Sequence, residues 1–141
     1  MFKFIALAFA TSILMHSASA NTDAQGEIVY LVNCGDHNDY STMVYYKDWT
    51  KSQHAEEPDA IARVCSTFGA VHWEGFALST RFADGNIFTS NIRNGANNLS
   101  NGDVAGDGLN NYRQFTCYKD NKRLLYLDPN GYNCYSIYYC D

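Results

Sequence analysis

The sequence predicts an α+β domain in which one short helix packs on a mainly antiparallel sheet that is cross-linked by disulfides. Short β-branched and aromatic segments recur along the chain and are separated by turns rich in Gly, Asn and Asp. A single segment, residues 57–67, has apolar residues at helical spacing. Five cysteines lie beyond residue 20 of the 141 residues, which is typical of a small disulfide-stabilised domain.

The first 20 residues predict a secretory signal peptide. Lys3 precedes an apolar run, residues 4–15, and Ala18-Ser19-Ala20 supplies the small residues of a cleavage site. The run is too short to span about 30 Å of hydrocarbon as a stable helix. We therefore expect cleavage after Ala20, a secreted, extracellular protein without a membrane span, and one domain comprising residues 21–141.

The charge balance limits the possible partners. The chain has 10 Lys and Arg and 15 Asp and Glu. Lys3 leaves with the signal peptide, so the mature chain carries 9 − 15 = −6. Because binding to phosphate backbones or anionic lipids needs a basic face, non-specific binding to nucleic acid or such membranes is not expected.

The elements follow in order along the chain. Residues 27–34 and 40–49 predict two strands, the first apolar on both faces. Pro58 and Asp59 suit the first turn of a helix over 57–67, whose stripe of Ile61, Val64, Cys65 and Phe68 would face the core. Further strands are expected at residues 71–82, 87–92, 114–119, 124–128 and 134–140.

Two connections carry specific expectations. A three-residue turn at residues 84–86 would place Phe82 opposite Phe88 in a hairpin, which keeps the large apolar groups together. Residues 93–111, rich in Gly and Asn, predict the longest loop. It contains a sequon, so Asn98 is a candidate glycosylation site. The acidic residues of this loop lack EF-hand spacing, and neither a metal nor a cofactor is expected.

The cysteines can be partly paired from strand geometry. Cys134 and Cys140 lie six residues apart on one face of the last strand, roughly 20 Å when extended, which is too far for a disulfide. We expect one of them to bond to Cys34. Cys65 and Cys117 remain alternatives for the second bridge.

His72-Trp73-Glu74-Gly75-Phe76 is the densest candidate site. Two residues apart on a strand, His72 and Glu74 would share a face, and such a pair can serve general acid–base catalysis. The alternative is an exposed pair without a catalytic role.

Residues 73–76 resemble the aromatic-Glu-Gly-Phe segment of the guanyl-specific ribonucleases of fungi. The resemblance implies that Trp73 stacks on a base and Glu74 reads its edge, with Arg93 or Arg113 near the family's arginine position. The position of the catalytic His in that family corresponds to Phe68 here, and no His follows His72 in this sequence. A ribonuclease-like scaffold without the catalytic residues also resembles small secreted fungal effectors.

The sequence thus favours a secreted, non-enzymatic interaction protein, such as a host-directed effector or a toxin-like protein. Its expected partner is a host or other extracellular protein, or a glycan. The alternatives are a secreted ribonuclease-like hydrolase, with His72 and Glu74 as its proton carriers, and a small glycan-binding module.

Overall fold

A computed structural model describes residues 26–141. The predicted signal peptide, residues 1–20, lies outside the described residues. Nine strands and one helix make up half of the described chain. They are β1 (Ile28–Cys34), β2 (Tyr40–Tyr46), α1 (Trp49–Ser52), β3 (Ala60–Val64), β4 (Ala77–Arg81), β5 (Ile87–Ile92), β6 (Val104–Leu109), β7 (Gln114–Lys119), β8 (Leu124–Leu127) and β9 (Asn133–Cys140). A 3₁₀ turn, Ala96–Asn98, lies between β5 and β6.

The strands form one antiparallel sheet that curls into a nearly closed barrel. Their order is β3-β2-β1-β9-β7-β6-β5-β4, and β8 pairs with β9 off this path. The two edge strands approach each other, since the Thr80 hydroxyl of β4 donates a 2.9 Å hydrogen bond to the Arg63 carbonyl of β3. Closure of this kind leaves few unpaired strand edges.

The predicted α+β class is therefore wrong, because residues 57–67 do not form a helix. Residues 60–64 form β3 and pair with β2. Burial alternates with a period of two: Ala62 and Val64 are buried, and Ile61 and Arg63 are exposed. The helix of the described chain is the short α1, where Asp48 accepts a 2.9 Å hydrogen bond from the Thr50 amide.

Two apolar clusters lie on opposite faces of β1. The barrel interior includes Val29 and Leu31. The outer cluster includes Tyr30 and Val32 and packs under β8. A strand that is buried on both faces has a continuous run of apolar residues, which explains the composition of β1.

Both disulfides join residues that lie directly opposite each other on paired strands. Cys34 of β1 bonds to Cys134 of β9, one of the two partners expected for Cys34. Cys117 of β7 bonds to Cys140 of β9 inside the barrel. The remaining thiol is Cys65, which is exposed.

Residues 93–111 are not one long loop, because β6 lies within them. The glycines that suggested a loop instead permit close strand approach: a Cβ at Gly106 would lie 2.1 Å from the Asn91 carbonyl oxygen of β5. A Cβ at Gly108 would lie 2.5 Å from the Phe88 ring. Small residues are required where backbone and ring come this near.

The β4–β5 hairpin forms in a different register from the expected one. Thr80, not Phe82, lies opposite Phe88. Phe82 instead donates its amide to Asn86 at 2.8 Å, so the turn comprises residues 83–85. The shift is two residues, which leaves every side chain on its expected face, and both Phe82 and Phe88 are buried.

Candidate functional site

The connection between β3 and β4, residues 65–76, crosses one end of the barrel and contains the predicted site. We call it the end loop. The strand expected over residues 71–82 forms only as β4, and residues 71–76 belong to the end loop instead. Within the end loop, Glu74 forms an isolated bridge with Ile92. The end loop links the two edges of the curled sheet.

Trp73 anchors the end loop in the barrel core. Its side chain is only 2% exposed, and its indole N–H donates a 2.9 Å hydrogen bond to the Asn33 side-chain oxygen. The Ser41 hydroxyl donates to the same oxygen at 2.7 Å and accepts from the Val71 amide at 2.9 Å. A buried indole with its N–H paired in this way holds the loop in one position.

The rest of the end loop is held by its backbone. The Ala70 amide donates to the Asn38 carbonyl at 2.8 Å, and the Gly75 amide donates to the Ile92 carbonyl at 2.8 Å. Gly75 has a φ of +82°, a conformation that side chains beyond glycine rarely adopt. At the start of the end loop the Ser66 hydroxyl bonds within its own turn, accepting from the Phe68 amide at 3.2 Å.

Glu74 and His72 do lie together, as predicted. His72 Nδ1 lies 3.1 Å from Glu74 Oε2, and the Glu74 carboxylate is buried while the imidazole is exposed. Tyr138 donates its hydroxyl hydrogen to the other carboxylate oxygen, Oε1. Burial, together with this hydrogen bond, raises the pKa of Tyr138, so its proton stays on the phenol.

Lys119 lies deeper in the same barrel end. Its Nζ donates a 2.6 Å hydrogen bond to the Asp120 carbonyl and lies 5.4 Å from the centre of the Tyr138 ring. Burial lowers the pKa of Lys119. A shallow groove of about 510 Å³ runs over this end. It is lined by Asn33, Asn38, Val71, His72, Trp73, Glu74, Asn97, Lys119, Lys122, Tyr135, Ile137 and Tyr138.

This arrangement gives one exposed imidazole that a buried carboxylate orients. Such a pair can hydrogen-bond a polar partner group. Strand-scission chemistry on RNA needs a base on one side of the reacting phosphate and an acid on the other. His72 and Glu74 are in direct contact, so they act from the same side. Tyr138 keeps its proton in the bond to Glu74.

The structure does not assemble the other residues that the ribonuclease resemblance implies. Arg113 lies far along the barrel wall, where its Nε is 3.4 Å from Glu27 Oε1. Arg93 follows β5, is exposed, and is not among the residues that line the groove. Trp73 has no exposed ring face on which a base could stack. The expected glycosylation residue, Asn98, is exposed at the end of the 3₁₀ turn.

Two residues of the end loop that the sequence did not single out as binding groups are prominently exposed. Phe68, expected on the core face of a helix, is 89% exposed, and Phe76 is 65% exposed. Each lies next to a positive-φ glycine, Gly69 or Gly75. The two glycines are the sequence signal that could have indicated turns at these positions.

Within residues 26–141, no group of three His, Cys, Asp or Glu side chains is arranged to hold a metal ion. The same described region has no helix of sufficient length and apolarity to cross a membrane. Comparisons of the chain with protein-family models, curated proteins and solved structures gave no match.

Proposed function

We propose that this protein is a secreted, non-catalytic interaction protein that binds another extracellular protein through the end loop. It would act as a host-directed effector or toxin-like protein of the small fungal type. The observation that carries the proposal is the pair Phe68 and Phe76, both strongly exposed on a loop that Trp73 anchors.

The physical argument is that binding energy concentrates in a few large apolar anchors on a rigid frame. Exposing two phenylalanines to water is unfavourable for an isolated molecule, so their exposure favours a partner that covers them. The anchored backbone means that little conformational entropy is lost on binding. His72, which lies between them in the sequence, offers a polar contact whose orientation Glu74 fixes.

Secretion is supported by the two disulfides, which persist in oxidising compartments, and by the sequence of residues 1–20. The hydrolase alternative rests on the His72–Glu74 contact. Two observations oppose the hydrolase alternative. His72 and Glu74 lie on the same side of any bound phosphate, and the negative charge of the chain would repel a polyanionic substrate.

The test compares the mature protein with a Phe68→Ser/Phe76→Ser variant. The matched control is Leu109→Ser/Leu127→Ser, whose side chains are 55% and 57% exposed on other parts of the surface. A partner from host extracellular fluid should be captured by wild type and control but not by the end-loop variant. With the purified partner, each Phe substitution should weaken binding by about 30-fold, the effect of a hot-spot residue.

Equal binding by the end-loop variant, or no specific partner for wild type, would overturn the proposal. A parallel assay incubates oligoribonucleotides with wild type and His72→Ala. We expect no appreciable cleavage by either protein. Turnover that disappears in His72→Ala would favour the hydrolase instead.

A further inference from the structure

A second and larger cleft lies on the outer wall of the barrel, away from the end loop. Its volume is about 890 Å³, within the range of small-ligand sites. It runs over the outer faces of β1 and β9, between α1 and the segment 120–123. Side chains at its rim and floor include Glu27, Trp49, Gln53, Arg113, Asn121 and Tyr139.

The two arginines of this cleft are held in place. Arg123 donates to the Ser52 carbonyl at 2.7 Å and to the Tyr30 hydroxyl at 3.0 Å, and its Nε lies 3.6 Å from Asp120 Oδ2. Arg113 lies 3.9 Å over the Phe115 ring and donates to the Glu27 carbonyl at 3.2 Å. Polar groups fixed in this way are preorganised to orient a ligand.

The charges in the cleft largely cancel. Arg123 pairs with Asp120 and Arg113 pairs with Glu27, which leaves the Asp141 carboxylate without such a pair among the lining residues. A phosphate or sulfate would meet arginines that are already neutralised and an extra carboxylate. An uncharged ligand avoids both costs.

Aromatic rings border the same space. Trp49 is half exposed at the rim, and Tyr139 stacks on Tyr118 with ring centres 5.2 Å apart. Tyr139 also lies opposite Tyr30 on β1. Indole and phenol rings combine an apolar face with a polar edge. Pyranose rings match this chemistry, since they present a C–H face to aromatic rings and hydroxyls to side-chain amides, carboxylates and guanidinium groups.

We propose that this cleft binds an uncharged oligosaccharide, with a sugar ring against Trp49 and hydroxyls bonded by Gln53, Asn121 and the Glu27–Arg113 pair. The site is independent of the end loop. A protein with both sites could hold a glycan on the barrel wall and a protein partner at the barrel end.

The experiment titrates the mature protein with neutral hexasaccharides of β-glucan, cellulose, chitin, xylan and mannan by calorimetry. One of them should bind saturably. Trp49→Ala and Gln53→Ala should each weaken that binding at least tenfold. Tyr132→Ala is the matched control, because Tyr132 is as exposed as Trp49 at 48% and lies outside the cleft; its binding should equal wild type.

Fluorescence gives a second readout that does not depend on the stability of the alanine variants. The chain has two tryptophans, and Trp73 is buried. Ligand addition should change the emission of wild type and Trp73→Phe but not of Trp49→Phe. The Phe68→Ser/Phe76→Ser variant should bind the saccharide as wild type does. That result would distinguish saccharide binding in the cleft from protein binding at the end loop.

Three results would overturn the inference. They are the absence of saturable binding to every neutral hexasaccharide, unchanged binding in both cleft variants, and tighter binding of a sulfated oligosaccharide at the same cleft.

Discussion

Replacing Trp73 tests whether the end loop is anchored in the core or presents its tryptophan to a ligand. Trp73→Ala removes a fully buried indole, which typically lowers the free energy of unfolding by about 3–5 kcal/mol. Trp73→Phe keeps most of the apolar ring but loses the bond to Asn33. Because the Ser41 hydroxyl still donates to the Asn33 oxygen, no acceptor is orphaned, and we expect a smaller loss of about 1–2 kcal/mol.

The assay is urea unfolding followed by far-ultraviolet circular dichroism, since fluorescence would lose its reporter. Trp49→Phe is the control and should remain within about 0.5 kcal/mol of wild type, because Trp49 is half exposed. A Trp73→Ala variant within 1 kcal/mol of wild type would refute the reasoning. Such a result would mean that the indole is not packed in the core and could instead stack on a ligand.

Three further predictions concern the rest of the fold. Gly106→Ala should lower the free energy of unfolding by at least about 2 kcal/mol in urea titrations, because the new Cβ would lie 2.1 Å from the Asn91 oxygen; a loss below half of that would contradict the close approach of β5 and β6. Asp59 accepts from the Lys47 amide at 2.8 Å, which lowers its pKa below 3.8, so its stabilisation is present above pH 3.8 and is lost as pH falls through the lower folded pKa. The stability gap between wild type and Asp59→Ala should be about 1 kcal/mol at neutral pH and shrink towards pH 2, and a gap that widens in acid would oppose this assignment. A thiol reagent should label native protein at Cys65 alone, and peptide mapping should recover Cys34–Cys134 and Cys117–Cys140; a bridge to Cys65 would contradict the strand order.

The parts of the fold that could be predicted from sequence are those that depend on strand periodicity. The β1 segment is apolar on both faces because it separates two cores. The period of two along β9 places Cys134 and Cys140 on one face, too far apart to bond to each other. This geometry predicts that Cys34 bonds to one of them, and the bond to Cys134 confirms it.

The segment 57–67 could not be assigned correctly by periodicity. Ile61, Val64 and Phe68 fit a helical stripe, but Ile61 and Phe68 are exposed in the barrel. The deciding interaction is the pairing of residues 60–64 with β2, which is long-range information. Strand preference depends on such neighbours far more than helix preference does.

The candidate site was located only in part. His72 and Glu74 do meet, but in a loop and not on a strand face. The cleft around Trp49 was not predicted, because its walls come from α1, the ends of β1, β7 and β9, and the segment 120–123. No local pattern relates segments so far apart in the chain.

Barrel closure connects the stability of this protein to its proposed binding surface. β3 and β4 are the two edges of the sheet, so the chain between them must cross the open barrel end. A connection in that position needs a large side chain to fill the end, and Trp73 does so. Phe68, five residues before Trp73, and Phe76, three residues after it, lie outside this filled core and are exposed to solvent. The contacts of Trp73 that close the barrel end therefore also hold the end loop, with Phe68 and Phe76, in one position. A substitution that weakens the packing of Trp73 should weaken partner binding even though both phenylalanines remain.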